Sequence, residues 1–486
     1  MMSDEKITYH EIDFLLPAQR FNIQFSYISQ KGLPFIREFV LRLIHVAPMS
    51  KAQISIYFGL SRCETDEAIS DLVQRNELTL SADGRLTLTD KSYGYFSEVG
   101  EIPQLSTVQE SGATLSFDLA TFSCYRDPYV RANWNACISL KVDDYNTSQS
   151  EKLVEKHFQQ QFNQIVDKGY LSHLHVQDGK EEPSVYTVNS VNKLRQLPLR
   201  LSTEFQMDIQ GKAVEREDYE ELNNSECVHE LIAIELSRLA VPNNTVSIFK
   251  SMVALGDEET LKLFDSKSSL INPKYLDDIH ALEEHTSSRR SSLLGPIYSK
   301  DNWSKLQKIL APMLSKRIKG KADKSGSRFT WVAPSDLYWA KSGRFSSSLS
   351  DFFDKSSTKD KKLYTPVLYV PLEDDGDFRE AKQWLHELGP YNKEVKGLAE
   401  GFLDGNVEVL HLEDELVVVI YHVGQPEAFP ISMPVGFIST DQAVVAKIGH
   451  LIFDYIAGNS SFDKPNDCGF LSSIGEGRRK PKVSVR

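Results

Sequence analysis

The sequence lacks the features that mark membrane and secreted proteins. No run of about 18 apolar residues occurs, and the residues after Met1 show no signal-peptide pattern. The five cysteines are odd in number and form no C-x-x-C pair. We therefore expect a cytoplasmic chain with reduced thiols and no membrane contact.

The sequence also lacks the loops that hold nucleotides and the spacings that hold metals. Neither G-x-x-x-x-G-K-[ST] nor G-x-G-x-x-G occurs, and no G-x-S-x-G elbow is present. His229-Glu230 begins an H-E-x-x-H pattern, but Ala233 stands where the second histidine belongs. His280 and His285 are five residues apart, which turns them to different faces of a helix. We predict no cofactor and no metal.

One nuclease-like spacing remains, between Glu394 and Lys396 in the segment EVK. Metal-dependent nucleases use a carboxylate and a lysine at this distance. Here the residues from Phe378 to Phe402 read as helical, and no aspartate on a strand precedes the pair. The spacing alone therefore predicts no nuclease site.

Basic residues are too few for a protein that coats nucleic acid. The chain has 55 Lys and Arg against 68 Asp and Glu, a net charge of −13, which still allows one local basic face. Hydrophobic content of 41% and charged content of 25% are ordinary for a globular protein. A chain of 486 residues is too long for a single core, so several domains are expected.

Residues 30–97 form the first distinct unit. The segment LPFIREFVLRLIHV has helical apolar spacing, and MSKAQISIYFGLS predicts a short helix between Ser50 and Gly59. A third helix follows over residues 64–76, and LTLSADGRLTLTD then predicts a hairpin of two strands. Three helices followed by a hairpin resemble the winged helix-turn-helix superfamily.

The third helix lies where a winged helix carries its DNA-reading helix, but it is acidic. A helix in the major groove faces phosphates and usually carries cations or amides. This one carries carboxylates, which we assign to partner docking: Glu64, Asp66, Glu67 and Asp71. Its predicted packing face consists of Ala68, Ile69, Leu72 and Val73. We expect the domain to dock on a protein partner.

Any DNA contact of this domain is expected to be sequence-nonspecific, through cations that grip phosphates. The local candidates are Arg62, Arg75 and Arg85. Several of the local cations lie on the turn and the hairpin rather than on the helix, so they suit the edge of the domain better than its reading helix.

The rest of the chain predicts a multidomain α+β protein. We expect an N-terminal winged helix, a mixed α/β and helical middle, and a C-terminal α/β sheet domain. The predicted segments after the winged helix are a mixed α/β domain (98–215), a helical region (216–314), a basic linker (315–328), the α/β domain (329–458) and a disordered tail (459–486).

The linker is the strongest basic stretch in the chain. Its cations, all candidate nucleic-acid contacts, are Lys316, Arg317, Lys319, Lys321, Lys324 and Arg328. Aromatic residues follow closely, at Phe329, Trp331, Tyr338, Trp339 and Phe345. Cations that track phosphates beside rings that stack on bases are typical of a nucleic-acid groove. The alternative is that the cations are solvated surface and the rings are core.

The C-terminal third contains VEVLHLEDELVVVIYHV, then MPVGFIST and a closing helix, and resembles one half of a phospholipase D-like domain. That resemblance implies a histidine nucleophile with a lysine two residues later. Here His411 is followed at that offset by Glu413, and His422 by Gly424. A carboxylate cannot hold phosphate, so the resemblance implies a degenerate site. A generic α/β scaffold is the alternative.

Taken together, these features favour a noncatalytic, DNA-associated accessory or assembly subunit, of the kind found in bacterial antiphage or mobile-element systems. Two alternatives stay open: a nuclease or phosphodiesterase with an unrecognised site, and a transcription regulator that senses a ligand. An enzyme should bring titratable groups together in one pocket, whereas a regulator should have a basic reading helix and two-fold symmetry.

Overall fold

The protein is a multidomain α+β chain, as predicted. The computed structural model describes residues 6–32, 35–96, 103–126, 134–172, 174, 183–265, 271, 289–320, 327–391, 394–459 and 464–475. Two compact units are built from separated stretches of chain: a larger unit (1–17, 128–142 and 198–486) and a smaller unit (18–127 and 143–197). Of the helices in the described ranges, none has the length and apolar character needed to span a bilayer.

Secondary structure is distributed along the whole described chain. The strands are β1 (Ile7–Leu16), β2 (Ala18–Gly32), β3 (Leu78–Leu80), β4 (Leu86–Leu88), β5 (Gln104–Asp118), β6 (Cys124–Tyr125), β7 (Ile138–Ser139), β8 (Ser184–Gln196), β9 (Leu199–Met207), β10 (Arg290–Leu294), β11 (Arg328–Val332), β12 (Thr365–Leu372), β13 (Val395–Ala399), β14 (Val407–Leu412), β15 (Leu416–Val423), β16 (Met433–Ser439) and β17 (Asp467–Phe470). The helices are α1 (Phe35–Val46), α2 (Lys51–Phe58), α3 (Arg62–Gln74), α4 (Asp90–Tyr93), α5 (Asp144–Ser148), α6 (Ser150–Asp167), α7 (Ser225–Arg238), α8 (Thr245–Leu255), α9 (Glu258–Leu261), α10 (Lys300–Lys319), α11 (Gly343–Asp354), α12 (Phe378–Leu388), α13 (Gln442–Ala457) and α14 (Leu471–Gly475).

The smaller unit is built on an antiparallel sheet with the strand order β6-β5-β2-β8. Alternate residues of β2 are apolar and buried, namely Phe21, Ile23, Phe25 and Tyr27. The Phe25 ring packs against Phe158 and Phe162 of α6, with ring centroids 5.1 and 5.7 Å apart. A period of two on the strand and an apolar stripe on the helix thus bring the two elements together.

Residues 35–96 of the smaller unit form what we call the helix–hairpin segment: helices α1 to α3, then strands β3 and β4. Ser50 and Ser61 each close a capping box at the start of α2 and α3. Strands β3 and β4 pair in antiparallel register, with Gly84 in the turn at a φ of 78°. The predicted third helix and hairpin are therefore confirmed.

One detail of the predicted packing face of α3 is wrong. The fully buried residues are Thr65, Ile69 and Leu72, whereas Val73 is 45% exposed. Helical geometry explains the difference. Val73 lies about 100° around the helix from Leu72, which turns it past the edge of the buried stripe.

The larger unit contains an eight-stranded sheet with the order β10-β16-β15-β14-β11-β12-β13-β17. Strands β11, β12 and β13 are parallel, and the others pair antiparallel. Leu410 and Val418 belong to a core shared with Phe345 of α11, whereas His411 faces α13 through the Val445 carbonyl. The sheet is covered on both faces, which explains why its strands are almost continuously apolar. A separate sheet of this unit has the order β7-β1-β9.

Several predicted boundaries differ from the structure. The predicted helical stretch from Phe378 to Phe402 is wrong, because α12 ends at Leu388 and residues 395–399 form a sheet strand. The region predicted as helical contains the edge strand β10. Helix α10 continues to Lys319, into the predicted linker, and part of the predicted disordered tail is ordered as β17 and α14.

Adjacent residues of α3 offer a test of this packing. We expect Leu72→Ala to lower the free energy of unfolding by about 2–5 kcal/mol, because it leaves a cavity in the core. The matched control Val73→Ala should stay within about 0.5 kcal/mol of the wild type, since its side chain is exposed. Urea unfolding of both variants measures the difference. Equal losses would contradict the packing face described here.

Candidate functional site

Helix α3 uses most of its carboxylates within the segment itself. Glu64 accepts a hydrogen bond from the Ser61 backbone N–H at 2.8 Å and completes the capping box, and the Ser61 hydrogen bonds lower its pKa. Asp66 forms an ion pair with Lys51 of α2 at 2.8 Å, which lowers the pKa of that carboxyl. Asp71 pairs with Arg75 one turn later, also at 2.8 Å. Glu67 has no such ion pair among the described residues.

Most of the predicted cations near α3 already face carboxylates. Lys51 and Arg75 face the α3 carboxylates, and Arg85 lies 3.6 Å from Asp83 at the hairpin turn. Arg62 is exposed at the first turn of the helix. A cation that already faces a carboxylate gains less from a phosphate, because it must leave one partner for the other. Of the predicted cations here, Arg62 is the one best placed to contact phosphate.

Helix α2, which precedes α3 in the segment, exposes two large apolar side chains. Ile56 is 82% exposed and Tyr57 is 67% exposed. The Lys51–Asp66 ion pair joins α2 to α3 at the surface, since both side chains are about half exposed. Scattered apolar residues on a surface are normal, but two adjacent large ones beside a charged helix are typical of a contact surface.

The predicted basic run at 315–328 divides into exposed and buried cations. Lys316 and Lys319 are exposed at the end of α10, and Arg328 is exposed at the start of β11. Arg317 is buried: it donates to the Leu363 carbonyl at 2.7 Å and lies 3.1 Å from Glu415. It is therefore not available to nucleic acid. Lys321 and Lys324 lie outside the described residues.

The aromatic residues after the basic run are core. The relative exposure is 1% or less for each of Phe329, Trp331, Tyr338, Trp339 and Phe345. Their rings pack on one another, as between Trp331 and Phe345 at 5.3 Å. The interpretation of these rings as a base-stacking surface is wrong, because none of them is reached by solvent.

The histidines and the lysine that the sequence singled out do not meet in a pocket. His411 lies against the Val445 carbonyl at 3.1 Å, and burial lowers its pKa. His229 lies 3.4 Å from the Arg216 guanidinium. Lys396, on strand β13, pairs with Asp467 at 2.7 Å. His280 and His285 lie outside the described residues.

His422 instead belongs to a buried ionic cluster that the sequence did not predict. Its Nδ1 lies 2.6 Å from Asp336 Oδ2, and its Nε2 lies 3.3 Å from Glu408 Oε2. The Ser432 hydroxyl donates to the same Asp336 oxygen at 2.6 Å. Glu408 also accepts hydrogen bonds from two indoles, those of Trp331 at 2.8 Å and Trp339 at 2.9 Å.

The pKa values of this cluster follow from its geometry. Burial alone would lower the pKa of His422, but the hydrogen bonds and charges of Asp336 and Glu408 outweigh burial and raise it to about 9. Burial likewise opposes ionisation of Asp336, yet the contacts with His422 and Ser432 lower the pKa of that carboxyl. His10, buried nearby, has its pKa lowered to about 4 by burial. At neutral pH His422 is therefore an imidazolium, held between the Asp336 and Glu408 side chains.

The cluster lies at the place where open α/β sheets usually bind ligands. Asp336 follows the carboxyl end of β11, which has parallel β12 on one side and antiparallel β14 on the other. However, side-chain exposure is 1% for His422, 5% for Asp336 and 0% for Glu408. Asn244 adds to the cover, because its Nδ2 donates to the His422 carbonyl at 2.9 Å. Because they are buried, these groups can hold strands together but cannot reach a substrate.

A signal for the cluster was present in the sequence. Glu408 is the one carboxylate of the mostly apolar strand VEVLHL, and a buried carboxylate requires a partner. Asp336 and Ser432 lie in loops whose positions depend on sheet order, so no local pattern could have placed them beside His422.

The described residues contain no group of three or more His, Cys, Asp or Glu side chains that could hold a metal ion. No model of a known protein family matches the sequence, and no curated protein matches it significantly.

The ionic cluster predicts a specific pH dependence of stability. Because the pKa of His422 is raised from 6.5 to about 9, its stabilising effect is complete below pH 6.5 and is lost as the pH rises through about 9. His422→Gln should cost about 3–5 kcal/mol at neutral pH, since it leaves buried carboxylates uncompensated.

Urea unfolding between about pH 7 and pH 10 checks this prediction. The free energy of unfolding of the wild type should fall in the alkaline range. In His422→Gln this fall should be smaller, because the contribution of residue 422 is absent. His411→Gln, on the neighbouring strand, is the matched control and should keep the alkaline fall. A His422→Gln variant with wild-type stability would show that no imidazolium is held there.

Proposed function

We propose that this chain is a noncatalytic accessory subunit that assembles with a protein partner through the helix–hairpin segment, used as a winged-helix docking domain. DNA contact, in this proposal, is made through phosphates without sequence readout. The observation that carries the proposal is the surface of α3, which bears four carboxylates. If the segment is a winged helix, α3 corresponds to its reading helix.

Electrostatics argue against groove insertion of α3. The helix contains one arginine and four carboxylates, a net charge of −3. Lys51 and Arg75 offset part of that charge but are thereby occupied. Entry into the major groove would bring the remaining negative charge against two rows of phosphates, where a binding helix gains affinity by neutralising charge.

The same surface suits a protein interface. Interfaces are enriched in tyrosine and in apolar residues at their centre, with charged residues at the rim. In this proposal the exposed Ile56 and Tyr57 of α2 supply the apolar part of the interface and α3 supplies its acidic part. We therefore expect the partner to present an apolar contact flanked by basic residues.

A noncatalytic role is supported by the C-terminal sheet. His411 and His422 lack the following lysine that phospholipase D-like chemistry requires. His411 bonds to a backbone carbonyl, and His422 is enclosed between two carboxylates. Neither imidazole is placed to attack a phosphodiester.

The docking surface can be tested with paired serine substitutions. Ile56→Ser with Tyr57→Ser should lower affinity for the protein that purifies with the chain by about tenfold or more, because two exposed anchors are removed. Val246→Ser with Val253→Ser on α8 is the matched control, since those valines are 69% and 71% exposed. Titration calorimetry with the purified partner measures both. Equal affinities for the two pairs would remove α2 from the interface.

Nonspecific DNA contact can be tested at the end of α10. Lys316→Gln with Lys319→Gln should flatten the salt dependence of duplex DNA binding, by about 0.9 in log–log slope for each phosphate that is no longer neutralised. Lys300→Gln with Lys308→Gln removes two lysines of the same helix and should leave the slope unchanged. Fluorescence anisotropy over a salt series gives the slopes. A slope that stays at the wild-type value after the first pair would exclude this helix end as a DNA contact.

A further inference from the structure

Strand β8 is a long edge strand of the smaller unit. It pairs with β2 on one side, and the sheet order places no described strand on its other side. Most of its residues are exposed, including Tyr186 at 64% and Leu194 at 49%. An edge strand presents a row of backbone donors and acceptors that can accept another strand.

Two of the usual protections of an edge strand, charged residues and prolines, are missing over most of β8. Natural sheets protect their edges with lysines, prolines, bulges or a covering element. The nine residues of SVYTVNSVN, Ser184 to Asn192, include neither a charged residue nor a proline. The open stretch ends at Lys193, whose backbone N–H donates to Glu151 at 3.1 Å.

The valines of β8 have an unusual spacing. Val185, Val188 and Val191 are three residues apart, whereas side chains of a regular strand alternate every second residue. The register explains this spacing: they pair with Tyr27, Phe25 and Ile23, which share one face of β2. Two register shifts, between Gln24 and Phe25 and between Ser26 and Tyr27, supply the extra residues. All three valines therefore face the α6 side of the sheet.

This spacing is symmetric about Val188. An antiparallel copy of β8 centred there places Val185 opposite Val191 and Val188 opposite itself. Each interval between valines contains one extra residue, so two antiparallel copies have equal numbers of residues between facing valines. A bulge normally sets an edge out of register with a regular partner, but here an interval with a bulge faces an interval with a bulge. The residues that have no partner on β2, Tyr186 and Asn189, then lie opposite Ser190 and Thr187 of the other copy.

We propose that two copies of this chain associate through their β8 strands, in an antiparallel pair centred on Val188 that joins the two four-stranded sheets into one. β-branched side chains then face each other on the α6 side. On the other face, hydroxyl and amide side chains are opposed, with Thr187 facing Asn189 and Ser184 facing Asn192. Ser184–Asn192 contains no charged residue, so no like charges face each other across the pair. Cross-strand pairs of β-branched side chains, and of hydroxyl and amide side chains, stabilise a sheet.

The pairing of position 187 with position 189 of the other copy allows a charge-swap experiment. Thr187→Lys with Asn189→Lys places two like-charged pairs across the two-fold axis and should abolish the dimer. Thr187→Lys with Asn189→Glu places opposite charges there and should restore it. Both variants change the same two residues, so restored association in the second also shows that substitution at these positions leaves the strand intact.

Sedimentation equilibrium of the purified full chain over a range of concentrations gives the mass. The wild type should reach twice the 55.1 kDa of one chain, the double-lysine variant should stay at one, and the charge-swapped variant should return to two. As a control, Val108→Lys with Thr114→Lys adds the same charges to β5 of the same sheet and should leave the dimer unchanged. A monomeric wild type, or a dimer that persists in the double-lysine variant, would overturn the proposal.

Discussion

The stability of the large sheet at the carboxyl end of β11 depends on the imidazolium of His422. It stands between Asp336 and Glu408. His422 lies near the end of β15, Glu408 near the start of β14, and Asp336 in the loop after β11. A buried carboxylate is tolerated only with a compensating charge or several hydrogen bonds. His422 provides the charge, while two indoles and Ser432 provide further hydrogen bonds. The cluster thus adds side-chain contacts between strands that backbone pairing and apolar packing already join.

The same requirement of charge compensation shapes the surface of α3, with a different consequence. On this exposed helix the carboxylates are offset by Lys51 and Arg75, and one of them caps the helix that carries it. Each exposed ion pair contributes little stability, roughly 0–1 kcal/mol. In the proposed function these ion pairs weaken DNA binding by α3, because the cations that could have met phosphate already face carboxylates. The acidic sequence is therefore explained in part by local structure, and it favours a protein over DNA as the partner of this helix.

Local patterns in the sequence predicted some elements well. Ser50, Ser61 and the Asp83-Gly84 turn define the helix–hairpin segment because caps and tight turns depend on a few neighbouring residues. The alternation of Phe21 to Tyr27 carries an equally clear strand signal, although strand β2 was not among the predicted elements. By contrast, the prediction of a helix through Phe402 was wrong, because β13 is a short strand that is specified by its neighbours in the sheet.

The candidate site was less predictable than the fold. His422 was singled out, but in comparison with a phosphodiesterase motif rather than as an ion-pair partner. Asp336, Glu408 and Ser432 are brought to it by the order of strands, and sheet order is set by contacts between residues far apart in sequence. The basic run was visible in sequence, yet the burial of Arg317 depends on where Leu363 and Glu415 lie in the fold.

The central claim is that the exposed face of α3 meets protein. Glu67 is suited to test it, because it is exposed and belongs neither to the capping box nor to an ion pair in the described part of the chain. A photo-crosslinking amino acid at position 67 can be activated in a mixture of the full chain, the purified partner and duplex DNA. The account predicts a crosslink to the partner protein and none to DNA. A crosslink to DNA that leaves the partner unlabelled would contradict it.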